Sequence, residues 1–274
     1  MISPMKHLKN KTIWITGASA GIGEALAKAL AIEGANLVLT ARREDELNRV
    51  ASETGLPQEK IMILPADVTH LDETASLTNQ VIQRFGTIDI LVNNAGRSSR
   101  ALAAETPIEI DQQLMKLNYF APVALTKAVL PQMIKQGSGH IVVTSSVMGK
   151  FGTPLRSAYS ASKHALHGFF DTLREEVSDK GIRVTILCPG YIKTEVSINS
   201  ITANGDNYNK MSRYQQNGTS PEKLARRVVK GIKRGKREIW YGGIEILGLY
   251  LHRISPYLLY QYLKTQHRKN AFLE

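Results

Sequence analysis

A tyrosine with a lysine four residues later, Tyr159-Ser-Ala-Ser-Lys163, is the pair in this sequence best suited to moving a proton. It lies at the start of a helical pattern running to about Asp179, and i,i+4 spacing puts the ammonium one turn from the phenol. A phenol with an ordinary pKa near 10 is a poor base at neutrality, and a nearby cation favours its phenolate. Catalytic acids work best when their pKa approaches the working pH. Tyr-x-x-x-Lys alone is common by chance, so its meaning depends on what accompanies it.

A second group of residues could hold phosphate. Thr16-Gly17-Ala18-Ser19-Ala20-Gly21-Ile22-Gly23 follows a first apolar run and opens a helical one. Glycines there let backbone approach a pyrophosphate, and a helix N-terminus offers free N–H groups and a positive dipole end. The spacing is Gly-x-x-x-Gly-x-Gly, not the Gly-x-Gly-x-x-Gly of the commonest dinucleotide fingerprint. A plain strand-to-helix turn is the other reading; the position after the first strand favours the dinucleotide. The next strand ends Thr40-Ala41-Arg42-Arg43, with no acid until Glu44. NAD calls for a carboxylate at that point, whereas a guanidinium fork suits a 2′-phosphate. NADPH/NADP is therefore the expected cofactor, against the alternative that Arg42 and Arg43 are merely solvated.

The elements that must position these groups alternate. Thr12–Ile15, Asn36–Thr40, Ile61–Leu64, Ile88–Val92, His140–Thr144 and Arg183–Leu187 are short Ile/Val/Leu-rich runs without strict polar alternation, as expected of strands buried on both faces. Helical periodicity fills the intervals, for example from Leu71 to Phe85. Parallel neighbours need crossover connections, so the fold class expected is α/β, a Rossmann-like doubly wound parallel sheet of about seven strands flanked by helices. The last strand is placed at Glu238–Tyr241. Residues 1–243 read as one catalytic domain and 244–274 as a C-terminal helical extension in two pieces around Pro256. The polar, Asn-rich stretch Glu195–Gly218 reads as a long loop or loosely helical insertion, and loops of that length are often lids.

Taken in order, Thr16–Gly23, Asn93-Asn94-Ala95-Gly96, Ser146, Tyr159-x-x-x-Lys163 and Pro189-Gly190 resemble the short-chain dehydrogenase/reductase family over roughly residues 10 to 241. Arg42 and the long tail resemble most the NADP-preferring branch that includes the 11β-hydroxysteroid dehydrogenases. The resemblance implies that Tyr159 is the general acid/base, with Lys163 lowering its pKa and holding the nicotinamide ribose. It implies that Ser146 bonds the substrate oxygen and that Asn118 completes the tetrad by fixing a water. It also implies a cofactor track of Gly17, Ser19, Ala20, Gly21, Ile22, Gly23, Arg42, Arg43, Asp67 and Val68, then Asn94, Ala95 and Gly96, then Pro189, Gly190, Ile192 and Thr194. Asp67 would meet the adenine, and Ile192 and Thr194 the carboxamide end. Asn93, Ser146 and Pro189 each follow a predicted strand, at the carboxyl edge where such sheets bind ligands. Other readings stand beside these: Ser145 for the serine role, a helix-bend residue for Asn118, a helix cap for Asp67. Cys188 reads as inert core, and His164 and His167 as packing or surface residues without partners at metal spacing, so no metal is expected.

The reaction expected is hydride transfer between nicotinamide and a small lipophilic carbonyl or alcohol. A 3-oxoacyl-thioester reductase, or an NADP(H)-binding regulatory protein without turnover, are the alternatives. The substrate pocket is placed at residues 97–105, 150–157 and 195–218.

Composition bounds the setting. The 43% hydrophobic and 22% charged fractions are those of a globular domain. A single cysteine excludes an intrachain disulfide and fits a reducing compartment. With no signal-peptide-like segment at Met1–Asn10 and no charge-free run of spanning length, a cytoplasmic protein is expected. The net charge of +11 is concentrated: residues 223–274 carry +9. Eight Lys/Arg lie between Lys223 and Arg237 without an acid, and an apolar, tyrosine-rich run follows from Ile244 to Leu263, closing on Lys264, Arg268 and Lys269. This tail reads as a peripheral membrane contact, an interface helix or a lid over the cleft. No nucleic-acid motif accompanies the charge. The assembly expected is a homodimer or homotetramer.

Overall fold

Seven parallel strands make one sheet in the computed structural model, which describes residues 7–268. The strands are β1 (Thr12–Thr16), β2 (Asn36–Thr40), β3 (Ile61–Ile63), β4 (Ile90–Asn93), β5 (Gly139–Thr144), β6 (Ile182–Pro189) and β7 (Glu238–Tyr241). Their spatial order is β3-β2-β1-β4-β5-β6-β7, and every pairing is parallel. The chain runs outward from β1 to β3, then returns to lay β4 on the other side of β1. That reversal opens a crevice at the carboxyl ends of β1 and β4, where doubly wound sheets take their ligands. Ile15 marks the place, in register with Leu39 on one side and Val92 on the other.

Both faces of the sheet are covered, so its central strands can be apolar throughout. The helices are α1 (Gly21–Ile32), α2 (Glu44–Thr54), α3 (Thr74–Phe85), α4 (Ile108–Met115), α5 (Ala121–Gln136), α6 (Ser157–Glu176), a one-turn α7 (Arg213–Gln216), α8 (Pro221–Lys233), α9 (Ile246–Ile254) and α10 (Pro256–Arg268). Leu26 and Leu30 of α1, Val50 of α2 and Val228 of α8 fill one layer. Val81 of α3, Val129 of α5 and Phe170 of α6 fill the other. Trp14 of β1, fully buried, satisfies its indole N–H on Thr40 Oγ1 at 2.8 Å.

Departures from expectation have local causes. β4 begins at Ile90, although the apolar run begins at Ile88. Asp89 diverts the start of the strand: its carboxylate accepts from Thr12 N at 2.9 Å and from Lys11 Nζ at 2.8 Å, and Ile88 N donates to Gln136 Oε1. The helical pattern from Leu71 opens with a 3₁₀ turn, Leu71–Glu73, before α3. Between α4 and α5 the helix widens into a π turn, Lys116–Phe120. The 195–218 insertion contains only α7 as helix, and it is pinned instead by Ile201, which bridges to Ser99 and Asn207 and packs with Leu114 and Ala158. It thus lies over the start of α6.

The tail breaks where proline requires. Ser255 is extended, as the residue before a proline is driven to be, and α10 starts on Pro256. Leu249 and Leu259 turn inward onto Val147, Met148 and Phe151, while Ile254 is 82% exposed and Tyr257 68%. Lys269, in the cation group expected to close the tail, lies outside the described residues. Among those described, no helix is long and apolar enough to cross a membrane.

Candidate active site

The phosphate cradle is built by close approach. Gly17 follows β1 with φ +65°, and a Cβ there would lie 2.9 Å from Ala95 Cα. A Cβ on Gly23 would come within 2.1 Å of the Gly17 carbonyl oxygen. No side chain larger than hydrogen fits at either position. Ala20, extended and lacking a side-chain acceptor, precedes α1, so the first-turn N–H groups are left for an anion. The turn is held from the next strand: Asn94 Nδ2 donates to the Thr16 and Gly17 carbonyls, each at 3.2 Å. In return Thr16 Oγ1 accepts from Asn94 N and Ala95 N. Thr194 arrives from the opposite side, its Cγ2 lying 3.1 Å from where a Gly21 Cβ would stand. Ile22 packs inward on the first core layer and Ile192 is buried.

The ends of the cradle are more open. Arg42 and Arg43 are exposed, and Arg43 Nη2 donates to Ser19 Oγ at 3.4 Å. A guanidinium and a hydroxyl are thereby gathered at the mouth of the turn. Asp67 takes the Thr69 N–H and Oγ1–H on Oδ1 at 2.9 and 2.8 Å. Burial raises its pKa, but those bonds and the charge of Arg42 outweigh it and hold the carboxyl below its ordinary range. Asp67 is thus both a turn cap and a carboxylate facing the cleft edge. Val68 shares a small cavity with Thr16, Asn93, Ala95 and Leu117. Pro189 and Gly190 close β6 beside Tyr241.

The proton-handling residues converge at the inner end. Lys163, 4% exposed, donates from Nζ to the Thr144 carbonyl at 2.8 Å and lies 5.8 Å from the Tyr159 ring centroid. Burial alone brings its pKa down to about 8. Burial pushes the Tyr159 phenol up, opposed by a hydrogen bond with Ser146 and by the charge of Arg156, so the lowering by Lys163 that the resemblance implies is not found here; the Lys163 ammonium is turned onto the Thr144 carbonyl. Ser146 Oγ also accepts from Met148 N at 3.1 Å, which fixes its rotamer. Ser145 turns the other way, onto the Lys163 carbonyl and His167 Nε2, so Ser146 is the serine that faces the phenol. Asn118 sits in the π turn, 1% exposed. Its amide bonds both Arg97 backbone groups at 2.9 Å and Ser162 Oγ at 3.0 Å. The helix irregularity is what brings Asn118 to the cleft, so the helix-bend and site readings describe one arrangement. Gly96 is the spacer: a Cβ there would stand 3.0 Å from Asn118 Oδ1 and 3.4 Å from Lys163 Nζ.

A profile described as short chain dehydrogenase matches residues 11–204. The chain is 42% identical over 270 residues to a dehydrogenase/reductase SDR family protein 7-like of Anopheles gambiae, covering 96% of this chain and 85% of the relative. It is 38% identical to dehydrogenase/reductase SDR family member 7B of Xenopus tropicalis, covering 98% and 89%. The chain belongs to the short-chain dehydrogenase/reductase family. These relatives carry the family-7 names, rather than the steroid dehydrogenase name of the narrower resemblance. Among solved structures, a short-chain dehydrogenase of Streptomyces avermitilis superposes with a TM-score of 0.80 at 29% identity, covering 97% of this chain and 100% of that one. An alcohol dehydrogenase of Thermococcus sibiricus, complexed with 5-hydroxy-NADP, gives 0.71 at 26%, covering 85% and 97%. A family member of Burkholderia phymatum, in complex with NAD, gives 0.81 at 23%, covering 92% and 96%. The chain is therefore an oxidoreductase of a family whose members bind NAD or NADP.

Sequence reasoning missed several residues of this short-chain dehydrogenase/reductase site. Glu245, at the start of the tail, accepts from Tyr191 N at 2.7 Å and Gly243 N at 2.8 Å, so it ties the loop after β6 to the tail. Arg156, inside the 150–157 stretch placed in the pocket but not singled out there, donates to Ser98 Oγ and the Ser99 carbonyl. Phe151, Leu249 and Leu259 form an apolar wall against Tyr159 and Tyr191, a contact that no local pattern encodes. His167, Asp171 and Glu238 bring ligand atoms within 4.8 Å of one another; His167 and Asp171 are four apart on α6, and Glu238 joins them only through the fold. Lys150 Nζ, 2.6 Å from Glu238 Oε1, already sets a cation there. Cys188 is fully buried, and burial pushes its thiol well above the ordinary value; it is inert core.

Proposed function

We propose that this protein interconverts a lipophilic carbonyl and its alcohol with NADPH/NADP, using Tyr159 as general acid/base. The observation that carries the reading is the convergence of buried Ser146 and Lys163 on half-buried Tyr159 beside the glycine-only turn. The residues fit a dinucleotide: backbone room at Gly17 and Gly23, free N–H groups opening α1, and a buried ammonium whose one protein acceptor is Thr144 O. Lys163 has three N–H donors, which leaves two for ribose hydroxyls. The nicotinamide, when bound, supplies or accepts the hydride.

The protein's part is then positional and protic. Ser146 donates to the substrate oxygen. Tyr159 delivers its proton to that oxygen during reduction, or takes it during oxidation, where a positioned acid contributes about 10²–10⁴-fold. Its phenol is protonated through the neutral range, which favours reduction there. The wall of Val147, Met148, Phe151, Leu249 and Leu259 supports an apolar substrate body. Arg42, Arg43 and Ser19, with no carboxylate at the end of β2, support the 2′-phosphate and hence NADP(H). A sensor without turnover has no use for a proton donor set against the cleft, which favours the enzyme reading. The deciding experiment is NADPH oxidation measured against steroid, retinoid, quinone and 3-oxoacyl-thioester carbonyls. Turnover of at least one non-thioester carbonyl is expected. Selective turnover of thioesters would move the assignment to fatty-acyl chemistry, and NADPH binding without any turnover would leave the sensor.

A further inference from the structure

A second cation stands at the N-terminal boundary of the helix that carries the catalytic tyrosine. Arg156 immediately precedes α6, three residues before Tyr159, with its backbone outside the helical region. Leu155, just before it, is held at φ +65°, a left-handed backbone that a branched side chain resists. From there the Arg156 side chain crosses to the loop after β4, giving Nη1 to Ser98 Oγ at 3.1 Å and to the Ser99 carbonyl.

Both of these acceptors are neutral. Among the described residues Arg156 makes no ion pair, and the neighbours that bear on it are the like charge of Arg100 and the Tyr191, Tyr159 and Tyr208 side chains. Arg100 itself stands over the Tyr208 ring at 4.5 Å, on the insertion side of the same mouth. A guanidinium stays charged in any protein setting. Taking it partly out of water without a counter-ion is unfavourable, so an anion entering the cleft gains what the fold leaves unmatched. Nη1 holds the loop, and among the described residues Nε and Nη2 make no hydrogen bond, which leaves them to form a fork.

We propose that Arg156 binds an anionic group of the substrate, a carboxylate or a phosphate, so that the natural substrate is an anionic ketone or alcohol with an apolar body. This rests on the carbonyl-reductase reading above. The anion sits at the insertion side of the cleft, while the apolar body lies along Phe151, Leu249 and Leu259. The specificity residue is then three residues before the catalytic tyrosine, so recognition of the anion also sets the distance of the carbonyl from Tyr159.

The test uses matched ketones: an aryl-alkyl ketone ending in a carboxylate, its phosphate counterpart and its neutral methyl ester. Each is assayed with NADPH on the wild-type protein, R156K and R156Q. The wild type is expected to favour one anionic ketone over the ester by about tenfold or more in kcat/KM, chiefly through KM, as a charged hydrogen bond warrants. R156Q brings that ratio to about one, and R156K keeps part of it. The better of the two anions identifies the group. Equal losses for all three ketones in R156Q would make Arg156 a staple between loop and helix and overturn the proposal, as would a wild-type preference for the ester. If none is turned over, the reductase reading fails separately. The same ketones titrated into the NADPH complex then decide Arg156: tighter binding of the anions in wild type alone supports it, and equal affinity for anion and ester overturns it.

Discussion

Two side chains at either end of the cleft give opposite lessons about charge. Arg42 is exposed and follows a strand that ends without a carboxylate. Arg42→Ala is expected to raise KM for NADPH severalfold and leave NADH nearly unchanged, since only the 2′-phosphate needs the guanidinium. Steady-state kinetics with both cofactors check this; equal losses would make Arg42 structural. Lys163 is buried, and its pKa of about 8 stands below the ordinary 10.5. The ammonium that donates to ribose is therefore present below about pH 8 and is lost as pH rises through it. NADPH affinity, followed by nucleotide fluorescence, should hold to about pH 8 and weaken above, and Lys163→Ala should bind more weakly with no such step. The same depression makes the unfolded chain bind the extra proton between about pH 8 and 10.5, so this lysine's contribution to stability improves as pH rises across that window. At this scale much was legible. The i,i+4 pair Tyr159 and Lys163 is visible in the sequence because one helix fixes its separation, while its meaning and the choice of Ser146 over Ser145 come from the family resemblance. Arg156 and Glu245 are not visible in that way, because their partners at Ser98, Ser99 and Tyr191 are distant in sequence.

The elements were legible where packing is periodic and obscure where polar groups intervene. β2 and β7 fall where their apolar runs fall, while β4 starts late because Asp89 spends its carboxylate on Thr12 and Lys11. The π turn could not be read from periodicity, since one inserted residue hardly disturbs an apolar stripe; Asn118 is its visible consequence. The tail forms two helices on either side of Ser255 among the described residues, and its two faces emerge only from the structure. Leu249 and Leu259 pack inward in the cluster that Tyr159 and Tyr191 rest against, and Leu247, Ile254, Tyr257 and Leu258 face outward. We propose that this outer face rests on an anionic membrane surface, aided by the cations of α8, each adding roughly 1 kcal/mol near such a surface. Co-sedimentation with phosphatidylserine-containing vesicles should be strong at low salt and fall steeply as salt rises. Leu247→Ser with Tyr257→Ser should abolish it while sparing the inward leucines. Absence of pelleting at low salt would refute the membrane reading, and a smaller assembly in that double variant would mark the face as a subunit contact.

At the scale of the molecule, the sheet order explains why residues spread from Gly17 to Thr194 meet at all. The reversal between β1 and β4 gathers the ends of β1, β4, β5 and β6 along one edge. The glycine turn, Gly96, Ser146 and the loop after Pro189 become neighbours there, with the 195–218 insertion and the tail folded over them. That arrangement makes one claim: a hydride crosses from nicotinamide to a carbonyl carbon while the phenol of Tyr159 supplies the proton. The most direct measurement is transfer of deuterium from 4-deuterated NADPH into the alcohol product, by wild type and by Tyr159→Phe, with NADPH affinity determined alongside. Label should appear at the former carbonyl carbon in wild type. Tyr159→Phe should keep its NADPH affinity within about twofold and lose about 10²–10⁴ in rate, the usual contribution of a positioned acid. Deuterium transfer by Tyr159→Phe at more than about a tenth of the wild-type rate would contradict the assignment.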